Sequence, residues 1–187
     1  MQLSDSLKAR YLCLQILIGV FKKGKSVSHI LESQRVSVSF YKDSDVAIAK
    51  RLSDFIFLHL NSVDYCIDLY VKKNIKLEVR NILRLVIAEY VNKGSPDYAI
   101  VNSAVKLAKL NKASSFFSGL VNAIARKLVL NLRKNELVFK PELQANFRIN
   151  LRKYYTEDVI QKLEKLITKR APIDITISDK KDINFFR

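Results

Sequence analysis

Apolar residues recur at helical spacing over most of this chain. Leu7, Tyr11, Leu14, Ile18 and Phe21 step by four and three positions, which lines one face of a first helix. The stretch from Ser44 to Leu60 carries Ala49, Leu52 and Ile56, and a shorter stripe follows at Val63, Ile67 and Tyr70. Val79, Ile82, Leu83, Val86 and Tyr90 make the strongest stripe and predict the central helix of a core, closed by Asn92-Lys93-Gly94. Ser95-Pro96-Asp97 opens the next helix with a capping hydroxyl, a proline whose missing N–H does no harm there, and an acid at the positive dipole end. In that helix Val101, Ala104, Val105 and Ala108 face inward. After a start at Ser114-Ser115, Phe117, Leu120, Val121, Ile124 and Leu128 form another stripe. Small residues at Ala104, Ala108, Gly119 and Ala123 allow close packing, so the pattern predicts an all-α bundle.

Beyond residue 130 the periodicity weakens. The sequence divides there into a helical domain over residues 1–130 and, over 131–187, a linker followed by an incomplete second unit. A helix near Pro141 to Tyr155 is expected, then a Thr156-capped helix carrying Val159, Leu163, Leu166 and Ile167 that runs to Arg170 before Pro172. Ile173, Ile175 and Ile177 alternate with polar residues, which predicts a short strand at the end of the helical extension.

Composition narrows the chemistry. With 49% hydrophobic and 27% charged residues the chain is too apolar for general disorder. Four glycines and three prolines leave no Gly-rich phosphate loop. Cys13 and Cys66 stand singly in helical patterns with no CxxC partner, which gives almost no support to a disulfide framework or zinc site and suits a reducing cytoplasm. His29 and His59 are too far apart for metal or acid–base chemistry, and no catalytic constellation stands out. The apolar run from Tyr11 to Phe21 is too short to span a bilayer and lacks a signal-peptide cleavage pattern.

Charge adds the functional hint. Thirty-three Lys and Arg against eighteen Asp and Glu give a net charge of +15, which suits a polyanion and phosphate neutralisation. The candidate RNA-binding cations are Lys8, Arg10, Lys22, Lys23, Lys106, Lys109, Lys112, Arg126 and Lys127. The plain alternative is that these side chains solvate helices. Tyr11, Tyr41, Tyr90 and Phe117 could stack on bases, but their spacing fits core positions better. Asn102 and Asn122, inside apolar motifs, read as amides that satisfy backbone groups where helices meet. Arg84 reads as half of an anchoring ion pair.

Three stretches in series carry a family resemblance: Ile82-Leu83-Arg84-Leu85, then Ser95-Pro96 with Val101-Asn102-Ser103-Ala104-Val105-Lys106-Leu107-Ala108-Lys109, then Leu120-Val121-Asn122-Ala123-Ile124-Ala125-Arg126. Together they resemble the signatures of the NusB-like helical domain, and the resemblance covers about residues 5 to 130. That domain occurs in free-standing transcription antitermination factors and at the N-terminus of Sun/RsmB-type ribosomal RNA cytosine-5 methyltransferases. The first and third stretches, and the segment 141–178, are more similar to the methyltransferase branch. The chain departs from the family pattern at Ser103, where glutamate is usual, in lacking a tryptophan near Phe147, and at Thr176-Ile177-Ser178 in place of Arg-Val-Asn.

The resemblance implies an RNA-binding domain for ribosomal RNA, with the basic N-terminus on the RNA surface. It places the catalytic cysteine and the methyl donor S-adenosylmethionine in a further domain outside these residues, and no cofactor in this chain. The alternatives it leaves are an antitermination factor that binds RNA with a ribosomal-protein partner, and a helical interaction module without RNA binding.

Overall fold

The computed structural model describes residues 3–35, 40–71, 74–92, 95–134, 139, 142–167 and 169. All regular structure among them is helical: α1 (Asp5–Lys23), α2 (Val27–Arg35), α3 (Asp43–Leu58), α4 (Leu60–Asp68), α5 (Leu77–Val91), α6 (Asp97–Leu110), a 3-10 turn (Ser115–Phe117), α7 (Ser118–Arg133), α8 (Ala145–Leu151) and α9 (Glu157–Ile167). The chain forms two compact units, Met1–Gln144 and Ala145–Arg187.

In the first unit α5 is the central helix, as its stripe predicts, but it is enclosed on every side. Ile82, Leu83 and Ile87 are fully buried, each worth about 1.5–3 kcal/mol of apolar burial. Glu78, Asn81, Arg84 and Glu89 are buried with them. Helix α1 packs on α3 and α5, while α6 and α7 pack on each other and on α5. Such cover explains why α1 buries Leu12, Leu14, Ile16 and Leu17 completely, leaving Tyr11, Ile18 and Phe21 of the expected stripe partly exposed. Gly19 lets α2 approach α1, since a Cβ there would lie 2.5 Å from Ile30 Cδ1. Gly24, in the left-handed conformation at φ 61°, ends α1 so that its own N–H and that of Lys25 reach the Val20 and Gly19 carbonyls.

Several local expectations shift by a residue. Pro96, not Ser95, is the N-cap of α6 and makes no side-chain cap bond, while the Ser95 hydroxyl accepts from Arg10. Ile100 and Leu107 join the inward face of α6, and Val105 is only half-buried. The buried Ser114 hydroxyl donates to the Ala108 carbonyl at 2.9 Å and fixes the turn into α7. After that turn Leu120 is 40% exposed, because Val121, Ile124, Ala125 and Leu128 define the buried face. Ala104 and Ala108 are buried, whereas Ala123 is exposed and Gly119 faces open space. Helix α7 runs through Arg133, into the stretch read as linker.

In the second unit α8 ends at Leu151, earlier than the expected Tyr155. The Thr156 carbonyl accepts the first bonds of α9, whose buried apolar residue is Ile160 rather than Val159, Leu166 or Ile167. The strand expected at Ile173–Ile177, the helix stop at Gly94 and the prolines at 141 and 172 lie outside the described residues. No described helix is long and apolar enough to cross a membrane.

Candidate nucleic-acid interface

The predicted cations separate into two groups once their partners are seen. Near the N-terminus they are mostly committed to the fold. Lys8 pairs with Asp5 at 3.0 Å and lies 5.2 Å from the Phe40 ring centroid. Arg10 turns inward, where it bonds Glu89 at 2.5 Å, the Ser95 hydroxyl at 2.7 Å and the Ser6 carbonyl. Lys22 reaches the buried Glu78 at 2.6 Å, and this bond holds the Glu78 carboxyl below the usual glutamate range. Burial pushes the Glu89 carboxyl the other way, with Arg10 opposing the rise. Lys23 is exposed, with no ion pair among the described residues.

On α6 and α7 the cations remain available. Lys106, Lys109, Lys112 and Lys127 are exposed without ion pairs among the described residues, and Arg126 donates only to Asn122 Oδ1, at 3.2 Å. A groove of about 840 Å³ runs between the two helices. Its α6 wall is Tyr98, Asn102, Val105 and Lys109, which step by four, three and four along one helix face. Its α7 wall is Asn122, Arg126, Leu130 and Arg133. Among the described residues the one carboxylate lining it, Asp97, pairs with Arg133. A basic groove with an apolar floor and two amides on its walls therefore offers phosphate contacts and amide hydrogen bonds together.

Two exposed aromatic rings, only the second of them in the groove wall, are missed by the stripe reading. Phe116, in the turn before α7, is 96% exposed, and Tyr98 is 77% exposed. The second stripe, Tyr98 to Lys109, is the sequence signal that would have found Tyr98; Phe116 is betrayed only by the shift from Phe117. By contrast Tyr11, Tyr41, Tyr90 and Phe117 pack partly buried against the core, and burial pushes the Tyr41 hydroxyl up to about 12. Asn102 is exposed in the groove rather than bonded where helices meet, while Asn122 holds Arg126. Arg84 does form the expected anchor: it grips Asp64 of α4 with two bonds of 2.7 and 2.6 Å, donates to Asn81 Oδ1 and lies over the Phe21 ring. Cys13 and Cys66 are buried free thiols whose proton affinity burial raises. Among the described residues no His, Cys, Asp and Glu cluster could hold a metal.

A model of the NusB family matches residues 7–129. Among curated protein sequences none matches the chain. Solved structures share the fold, among them the following three. A chain in the crystal structure of a plectonemic RNA supercoil superposes with TM-score 0.61 at 19% identity, covering 70% of this chain and 97% of that one. A chain in the crystal structure of antitermination factors NusB and NusE in complex with dsRNA gives 0.59 at 19%, covering 69% and 98%. T. maritima NusB gives 0.59 at 21%, covering 73% and 100%.

Proposed function

The chain belongs to the NusB family, and from that premise we propose that it binds RNA through the α6–α7 limb. The observation that carries this reading is the set of uncommitted cations on this limb, Lys106, Lys109, Lys112, Arg126 and Lys127, of which Lys109 and Arg126 line the groove with the exposed Tyr98, while Phe116 is exposed in the turn between the two helices. The cations meet phosphates and release counterions, while the rings offer π faces to bases. The basic N-terminal residues contribute less, because Arg10 and Lys22 are held by buried carboxylates. Ultraviolet crosslinking of bound RNA, followed by mass-spectrometric mapping, tests this directly. Crosslinks concentrated in residues 98–127 support the limb; crosslinks confined to α1 and α3 overturn it.

At finer grain, the chain serves as the RNA-binding N-terminal part of a Sun/RsmB-type ribosomal RNA cytosine-5 methyltransferase. What supports this is the second unit: T. maritima NusB is covered to 100% by 73% of this chain, and the remainder is additional. Methyl transfer from S-adenosylmethionine then belongs to a further domain, for which this one positions RNA. The second reading is an antitermination factor acting with a ribosomal-protein partner, favoured by the fold shared with the NusB–NusE complex. An antibody against this domain separates the two in a lysate of the source. A native species well above the 21.5 kDa of this chain supports the methyltransferase reading, and one of that mass refutes it.

A further inference from the structure

The second unit carries a feature that its small core does not use. Between α8 and α9 the chain turns through Arg152-Lys153-Tyr154-Tyr155. Turns ordinarily favour Gly, Asn, Asp or Ser, whose backbones or short side chains fit them. Here two adjacent tyrosines stand 81% and 51% exposed. The backbone that carries them is hydrogen-bonded: the Tyr154 and Tyr155 N–H groups both donate to the Leu151 carbonyl, at 3.0 and 2.9 Å, and Lys153 N–H donates to the Asn150 carbonyl.

Ion pairs hold the same turn from both sides. Arg148 bonds Glu164 of α9 at 3.0 Å and also pairs with Glu157, and Arg152 reaches Glu157 at 3.2 Å. Two arginines thus offset Glu157, the acid nearest the turn. Lys153 is exposed and has no ion pair among the described residues. Residues 145–169 hold six Lys and Arg against three Asp and Glu. A hydrogen-bonded turn showing two exposed aromatic rings beside an uncommitted lysine matches what single-stranded nucleic acid asks of a protein: stacking platforms beside positive charge.

We propose that the α8–α9 turn is a second RNA contact, at which unpaired bases stack on Tyr154 and Tyr155 while Lys153 meets a flanking phosphate. This rests on the chain being an RNA binder, but not on the α6–α7 surface. The test is titration of the full chain with labelled oligouridylate at low salt. Tyr154→Ala with Tyr155→Ala should weaken binding at least about fivefold, the lower bound for losing one stacked base. Tyr154→Phe with Tyr155→Phe should leave it unchanged, since stacking needs the ring and not the hydroxyl.

Because the chain has no tryptophan, a Tyr154→Trp variant supplies a unique fluorophore whose emission should be quenched on RNA addition. Unaltered affinity in the double alanine variant, together with unquenched emission from Tyr154→Trp, overturns the proposal. If that result accompanies lost binding in Lys109→Glu with Arg126→Glu, RNA binding by the first unit stands and only the second contact falls. If the unaltered chain does not bind oligouridylate at all, both readings fall.

Discussion

Removing Asp64 should cost this protein more than removing the arginine it holds. Arg84 has a side chain only 6% exposed, and its charge is met by both Asp64 oxygens, at 2.7 and 2.6 Å, with Asn81 Oδ1 as a third acceptor. In Asp64→Ala the guanidinium stays buried against Phe21 with Asn81 alone, and breaking a buried pair in this way costs about 3 kcal/mol. At the size of this chain that corresponds to a fall in Tm of roughly 6–12 °C. Arg84→Met leaves the opposite partner: Asp64 is 26% exposed and retains Arg80 at 3.6 Å, so its charge stays partly solvated and partly paired. An apolar side chain of similar length also keeps the Phe21 contact, which brings the expected cost to about half or less. Urea denaturation followed by helical circular dichroism measures both variants. Equal losses, or a larger loss in Arg84→Met, would refute the asymmetry and with it the reading of Arg84 as a buried charge held by Asp64.

Arg10→Ala should lower stability by about 3 kcal/mol by orphaning the buried Glu89, yet leave the RNA affinity of the folded protein unchanged, as paired melting and binding measurements would show. Glu78 has its proton affinity lowered by Lys22, so its contribution is present above the ordinary glutamate range and lost as pH falls through its folded value. Glu78→Gln should therefore be less stable than the unaltered chain at neutral pH, with the gap closing on acidification. Alanine should have opposite effects at two glycines. Gly24→Ala costs about 1 kcal/mol, because its φ of 61° disfavours a side chain, whereas Gly119→Ala in open helical space gains about 0.5 kcal/mol, both read from urea midpoints.

The bundle is legible in the sequence because each helix buries at least one apolar face, and that face repeats at helical period. The stripe on α5 locates the centre of the core, although no pattern shows that Glu78, Arg84 and Glu89 are buried too. Their burial depends on Lys22, Asp64 and Arg10, which are distant in sequence and brought up by other helices. The same long-range pairing hides which cations can serve a ligand. Lys22 and Lys109 look alike in one dimension, and only the fold shows that the first is paired with Glu78 while the second lines an open groove. The exposed rings of Tyr98 and Phe116 escape a reading of inward stripes because such a reading collects only residues that face the core.

The most direct test of the central claim is the salt dependence of RNA affinity in the unaltered chain and in Lys106→Ala with Lys109→Ala and Arg126→Ala. If the α6–α7 limb carries the phosphate contacts, affinity falls linearly with salt on logarithmic axes. The triple variant then binds more weakly, with a slope shallower by about 0.7 for each contact removed. An unchanged slope and affinity in the triple variant would contradict that assignment.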